Sequence, residues 1–168
     1  EYDDCGICNG SGSDCGGSCN EEYIELWGQC YNINQTTSIE IESFSWDNNG
    51  PIPPQIGELI NLESLYLNGY DALQTNIPSE IGNLTNLKHL TVIALCLYGE
   101  LPQEFYNLDL RTLELRGDTI CSHLDVELNQ ITSNMNALNY LKIVEGISYI
   151  DEVIPPNIGE LTDLTHLI

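Results

Sequence analysis

Ile52-Pro-Pro-Gln-Ile-Gly-Glu-Leu-Ile-Asn-Leu-Glu-Ser-Leu-Tyr-Leu67 returns 25 residues later as Ile77-Pro-Ser-Glu-Ile-Gly-Asn-Leu-Thr-Asn-Leu-Lys-His-Leu-Thr-Val92. The apolar–proline mark recurs at Leu101-Pro102, 24 residues on, and at Ile154-Pro155 after a further 53, about two more periods. A period in the range of roughly 20–50 residues signals stacked structural units. One such unit cannot bury its own apolar side, so each is completed by its neighbours.

The period holds without the prolines. Apolar-x-apolar pairs stand at Ile39/Ile41, Leu65/Leu67, Leu90/Val92, Leu113/Leu115 and Leu141/Ile143, and a sixth begins at Leu167. The steps are 26, 25, 23, 28 and 26 residues. Each pair reads as a short strand with alternate residues pointing inward. Leu62, Leu87, Leu110, Leu138 and Leu164 each stand three residues before a pair. Stacked from one repeat to the next, each buried leucine contributes about 1.5–3 kcal/mol.

The two quoted stretches resemble the plant-type leucine-rich repeat, and Leu97-Tyr-Gly-Glu-Leu-Pro102 fits that family's turn into its Ile-Pro segment. The resemblance covers residues 37–168. It implies an α/β repeat solenoid, a right-handed arc with a parallel β-sheet on the concave face. The convex side is then irregular, 3-10 or short helical, with helical turns near Pro53–Leu59 and Pro78–Leu84. The Ile-Pro segments imply a second, less regular strand beside the first. The chain also departs from the family. The asparagine that usually follows the strand is missing, since its place falls near Phe44, Tyr70, Leu95, Asp118 and Gly146. Buried backbone groups still need partners, so another arrangement must replace that ladder. The fourth repeat, Leu113 to Asn139, lacks the Ile-Pro mark, and irregular convex loops are expected there.

The first thirty residues are of another kind, with Cys5, Cys8, Cys15, Cys19 and Cys30 among abundant glycine. Asp4-Cys-Gly-Ile-Cys-Asn-Gly-Ser-Gly-Ser-Asp-Cys15 is similar to cysteine-rich modules of secreted matrix metalloproteases and microbial surface proteins. So little apolar content needs covalent support, which favours a small disulfide-rich N-terminal segment. Zinc is the rival reading of Cys5-x-x-Cys8 and Cys15-x-x-x-Cys19. Five cysteines leave one over, whose partner lies elsewhere in a longer chain under this reading. Cys96 and Cys121 stand 25 residues apart on successive repeats; a disulfide stapling the two and a pair of buried thiols both fit. Asp3, Asp4 and Asp14 could supply oxygens for part of a calcium shell, although the full alternating aspartate pattern of a calcium loop is missing, and solvated loop charges are the reading preferred over a calcium cofactor. Tyr23-Ile-Glu-Leu-Trp-Gly-Gln-Cys30 reads as the start of a cap, with Trp27 and Tyr31 over the first repeat and Phe44 and Trp46 filling its turn. The chain thus divides into a module over 1–20, a cap over 21–38 and repeats over 39–168, the last cut short.

Twenty-six acidic and four basic side chains give a net charge of -22. That excludes ordinary phosphate-backbone binding and argues against anionic membrane surfaces. No stretch has the roughly 20 apolar residues that cross a bilayer. Asn9, Asn34 and Asn83 open glycosylation sequons, which together with the cysteines read as a secreted, cell-surface glycoprotein. His89 and His166 belong to the repeat register, and no nucleophile or phosphate-loop motif is present, so no enzyme is expected. A regular threonine array for ice or mineral is also absent, because Thr36, Thr37, Thr85, Thr91 and Thr132 share no register. Two functions remain. The first is a structural or adhesive surface protein, assembling with copies of itself or other surface proteins into an appendage, coat or filament. The alternative is a recognition module whose concave face binds a protein or polysaccharide through Glu40, Tyr66, Thr91, Glu114 and Lys142. Glu42, Asn68, His89, Arg116 and Tyr140 flank those positions. The weakness of aromatic or arginine anchors on that face favours the structural reading.

Overall fold

The computed structural model of the chain describes residues 19, 21–42, 50–118, 121–144 and 156–167. Parallel strands β3 (Ser38–Ile41), β4 (Ser64–Thr75), β5 (His89–Glu100), β6 (Thr112–Arg116), β8 (Tyr140–Val144) and β9 (His166–Leu167) lie side by side in that order. Strand β7 (His123–Asp125) pairs with β5 off this path. The register follows the apolar pairs. Ile39 faces Leu65, Leu65 faces Leu90, Leu90 faces Leu113, Leu113 faces Leu141, and Leu141 faces Leu167. A slip of one residue would turn every leucine to water, so the alternation fixes the pairing.

Opposite the sheet run 3-10 turns at Pro54–Glu58, Ser79–Asn83, Gln103–Asn107 and Pro156–Glu160. Pro53, Pro78 and Pro102 sit at their N-caps in extended backbone, where a missing N–H costs nothing. The first two turns contain the repeated Ile-Gly of the quoted stretches. Gly57 is required by close approach, since a Cβ there would lie 2.6 Å from the Glu80 carbonyl oxygen and 2.7 Å from Glu80 Cβ on the next repeat. Ile56, Ile81, Phe105 and Ile131 are fully buried at one level, and Leu59, Leu84, Leu108 and Met135 form the next buried level.

The fourth repeat corrects the expectation of an irregular loop. It keeps both levels and the extra strand β7, and it replaces the 3-10 turn with helix α1 (Leu128–Asn134). The Tyr106 hydroxyl accepts the Glu127 N–H at 3.0 Å, so the preceding repeat caps this helix from outside its own segment. Burial raises the Tyr106 phenol above its ordinary 10.0, and the Glu127 and Glu100 carboxylates push the same way against the N–H bond. Burial raises Tyr31 likewise. A folded pKa above the unfolded one gives stability that is complete below pH 10.0 and lost as pH rises through the folded value. Melting curves from pH 8 to 11 are therefore expected to show an alkaline decline that Tyr106→Phe flattens in part. The same change should cost about 0.5–1.5 kcal/mol at pH 8 by removing the acceptor of the Glu127 N–H.

The strands are also longer than expected at two places. β4 and β5 run 12 residues each, through the positions where the family's asparagine turn was expected. Asn68 pairs with Ile93 and Gly69 with Ala94; after a register shift, Gln74 pairs with Cys96 and Thr75 with Leu97. Tyr70 and Leu95 fall in the interruption of this pairing, where the Leu95 carbonyl instead accepts the Asp118 N–H of the next repeat at 3.0 Å. Two hydroxyls complete the substitution. Buried Thr75 Oγ1 accepts the Ile52 N–H at 2.9 Å and donates to the Asn76 carbonyl at 2.7 Å. Buried Ser122 Oγ accepts the Leu97 N–H at 3.0 Å. Asparagines bridge repeats elsewhere: Asn61 donates to the Asn34 carbonyl and Asn86 to the Ile60 carbonyl, each at 2.9 Å.

The first described unit is the antiparallel hairpin β1 (Tyr23–Leu26) and β2 (Gln29–Asn32). Trp27 at φ 52° and Gly28 at φ 77° make its two-residue turn, the left-handed pair that matches strand twist. Ile24 and Leu26 are buried, and Trp27 and Tyr31 cover the core as the sequence implied. Cys19 bonds to Cys30, and Cys96 bonds to Cys121, which removes the alternative of two free thiols at the second pair. Cys5, Cys8, Cys15, Asp3, Asp4, Asp14, Asn9, Phe44 and Trp46 lie outside the described residues.

Candidate functional site

On β3, β5 and β6 the residues alternate between the core and the opposite face of the sheet. That opposite face is built of rows. Glu40, Tyr66, Thr91, Glu114 and Lys142 occupy equivalent positions on five successive strands, and the register makes them one continuous row. Neighbouring strands are about 4.8 Å apart, so these side chains form an unbroken surface. Glu40 is exposed and the other four are half-buried. Lys142 Nζ meets Glu114 Oε1 at 3.1 Å, with 22% and 17% of the side chains exposed.

A second row was only partly foreseen. His89 and Tyr140 were flanking candidates, and the register joins them to Ser38, Ser64, Thr112 and His166. His89 Nδ1 lies 2.9 Å from Thr112 Oγ1. The Tyr140 ring lies against His166, with centroids 5.8 Å apart and planes tilted by 39°. The missed residues carried a signal, because each stands directly before an apolar pair, as His89 and Tyr140 do. The third row holds Asn68, Ile93 and Arg116, all half-buried. Exposed Glu42 follows β3 at the same end.

The leading edge of the sheet carries Lys88 and Arg111. Lys88 Nζ pairs with Asp109 Oδ2 at 2.7 Å, and the Lys88 carbonyl accepts the Arg111 N–H at 2.7 Å. Asn83 is exposed on the 3-10 turn away from this face, and Asn34 is exposed after the hairpin. Among the described residues, no group of three or more His, Cys, Asp or Glu side chains is placed to hold a metal ion, and no helix is long and apolar enough to cross a membrane.

No protein-family model matches the chain. Comparison with curated proteins gives no match either. Solved structures do match. The chain is similar to the crystal structure of a TDR receptor at 25% identity and a TM-score of 0.59, over 79% of this chain and 22% of that one. It is similar to the crystal structure of PEPR1-AtPEP1 at 26% identity and a TM-score of 0.55, over 74% of this chain and 17% of that one. A plant ice-binding protein aligns only at a TM-score of 0.21, which carries no argument. The chain spans about a fifth of the length of each of these two chains. Together with the repeat register, these likenesses support a leucine-rich-repeat-like fold.

Proposed function

We propose that this chain is an extracellular recognition module, a right-handed arc of leucine-rich repeats whose concave sheet face binds a protein or peptide ligand. The observation that carries the reading is the continuous row Glu40–Tyr66–Thr91–Glu114–Lys142 on an open parallel sheet. Such a face presents acid, base, hydroxyl and aromatic groups at the fixed spacing of paired strands. The likeness to a TDR receptor and to PEPR1-AtPEP1 supports recognition over the appendage or filament reading. Two disulfides support an oxidising, extracellular setting. In this reading residues 21–38 are the cap, 39–168 the binding repeats, and 1–20 a separate cysteine-rich module. The reading assigns the chain no catalysis.

Site-specific photocrosslinking tests it. A crosslinker at Tyr66 or Tyr140 should capture a partner from the extracellular fluid of the source organism, and one at Asn83 should not. Tyr66→Ala with Tyr140→Ala should abolish capture at a neighbouring crosslinker on Thr91. Ordered polymers of the purified chain under the electron microscope, with no capture at the sheet, would return the structural reading to first place.

A further inference from the structure

We propose that Asn83 is an N-glycosylation site and that the first sugar of its glycan lies over Ile60 on the preceding repeat. The inference shares the extracellular setting of the reading above and is independent of what the sheet face binds. Asn83-Leu-Thr85 meets the Asn-x-Ser/Thr requirement of the modification. The fold then places the tripeptide. Asn83 ends the 3-10 turn Ser79–Asn83, and both Asn83 and Thr85 are exposed. Leu84 between them is fully buried, at φ -80° and ψ 61°. The Thr85 N–H donates to the Asn83 carbonyl at 2.9 Å, which closes an inverse γ-turn around that leucine. Glu58-Leu-Ile60 and Glu160-Leu-Thr162 make the same N–H to carbonyl bond, also at 2.9 Å. Of the three, only Asn83-Leu-Thr85 carries asparagine and threonine together. Asn34 opens a tighter sequon: its N–H donates to Asn32 Oδ1 at 3.0 Å, its carbonyl accepts Asn61 Nδ2 at 2.9 Å, and Thr36 is half-buried.

The surroundings leave room for a sugar on that amide. Gly57 of the preceding repeat faces it, and a Cβ added there would lie 3.1 Å from Asn83 Nδ2. A longer side chain would crowd the nitrogen that carries the glycan. Ile60 stands three residues after Gly57 on the same repeat. Asn86 Nδ2 donates to the Ile60 carbonyl at 2.9 Å, which lays the segment of Thr85 and Asn86 alongside Ile60. Ile60 is 52% exposed, whereas the equivalent positions of later repeats hold Thr85, Asp109, Asn136 and Thr162, all polar and exposed. The carbon-bound hydrogens of a sugar over Ile60 take part of its apolar surface out of water. The modification is a glycosyl transfer whose donor is an oligosaccharide on a lipid pyrophosphate. Asn83 Nδ2 attacks the anomeric carbon, a C–N bond forms, the C–O bond to the pyrophosphate breaks, and the pyrophosphate leaves with the electron pair. Nδ2 gives up one proton to a base of the transferase.

The test starts with mass spectrometry of the protein secreted by its source organism, before and after a peptide N-glycosidase in heavy-oxygen water. The proposal expects loss of the glycan mass and heavy oxygen at residue 83. Asn83→Gln and Thr85→Ala should each abolish the modification there, and Thr85→Ser should keep it. The two losses touch different side chains, so a folding defect in one leaves the other as the test. An unmodified Asn83 would overturn the proposal, whatever Asn34 carries. Methyl NMR of the folded glycoprotein checks the contact. The Ile60 methyl signals should show Overhauser contacts to the first sugar and shift when the glycan is removed. A glycan on Asn83 with no such contact or shift would overturn the cover over Ile60. Photocrosslinker capture at Thr91 should be equal in the parent and in Asn83→Gln, since the 3-10 turn lies away from the sheet face. Loss of capture in that variant would make the glycan part of the ligand site and overturn its role as a cover. A glycan over Ile60 with no capture in either protein would uphold this proposal and count against the recognition reading alone.

Discussion

Leu90→Ala is expected to lower the unfolding free energy by about 3–5 kcal/mol, read as a fall in the denaturant midpoint. Leu90 is fully buried on β5 between Leu65 and Leu113, its register partners on the neighbouring strands. Both neighbours are pinned by their own strands and by buried residues behind them, so the cavity cannot close. The whole stability of a domain this size is on the order of 5–15 kcal/mol, so the loss is a large fraction of it. Half-buried Leu164, before the last strand, provides the contrast, and its alanine variant should lose clearly less. Stability in stacked repeats is a sum of nearest-neighbour contacts, and Leu90 has them on both sides. A loss under about 1 kcal/mol at Leu90 would contradict the stacked register.

Cys96→Ser with Cys121→Ser is expected to cost about 3 kcal/mol, the loop-closure value for a crosslink 25 residues apart. The bond also supports the long arm of β5. Cys96 pairs with Gln74 just after the register shift, and Ser122, next to Cys121, accepts the Leu97 N–H. Losing the crosslink should therefore loosen β7 first, since it is held to β5 by only three register pairs. Hydrogen exchange should show Leu97 to Glu100 and His123 to Asp125 opening before the sheet proper. Equal melting of the oxidised protein and the serine pair would sink the prediction.

The strand register could be read from the sequence to the residue. Leu-x-Leu pairs admit one inward set, and a parallel array of them has one alignment that buries all of it. The first two 3-10 turns could be read for a similar reason, because proline at the N-cap and Ile-Gly behind it determine where each begins and how closely the next can approach. The fourth repeat lacks the proline mark yet keeps the element, as helix α1. Ile131, Met135 and Leu138 keep helical spacing, and that apolar periodicity was sufficient. The replacement for the asparagine ladder was hidden, since Thr75 and Ser122 are unremarkable residues until a neighbouring backbone N–H is brought to them. On the outward face of the sheet, the central row is legible in the sequence and the His89–Thr112 and Tyr140–His166 neighbours are not. The residue before each apolar pair bears no apolar mark of its own, and only the strand register brings those residues together.

By itself the sequence determined the repeat, its inward rows and the acidic balance, because periodicity and composition are properties of the chain read in order. Tertiary structure decided which cysteines meet, how far β4 and β5 run, and that Tyr106 caps a helix in the next repeat. It also brought Lys142 against Glu114 across neighbouring strands. Each of these depends on contacts between residues roughly one repeat apart, set by the stacking of whole units. No local pattern of apolar and polar residues encodes that distance.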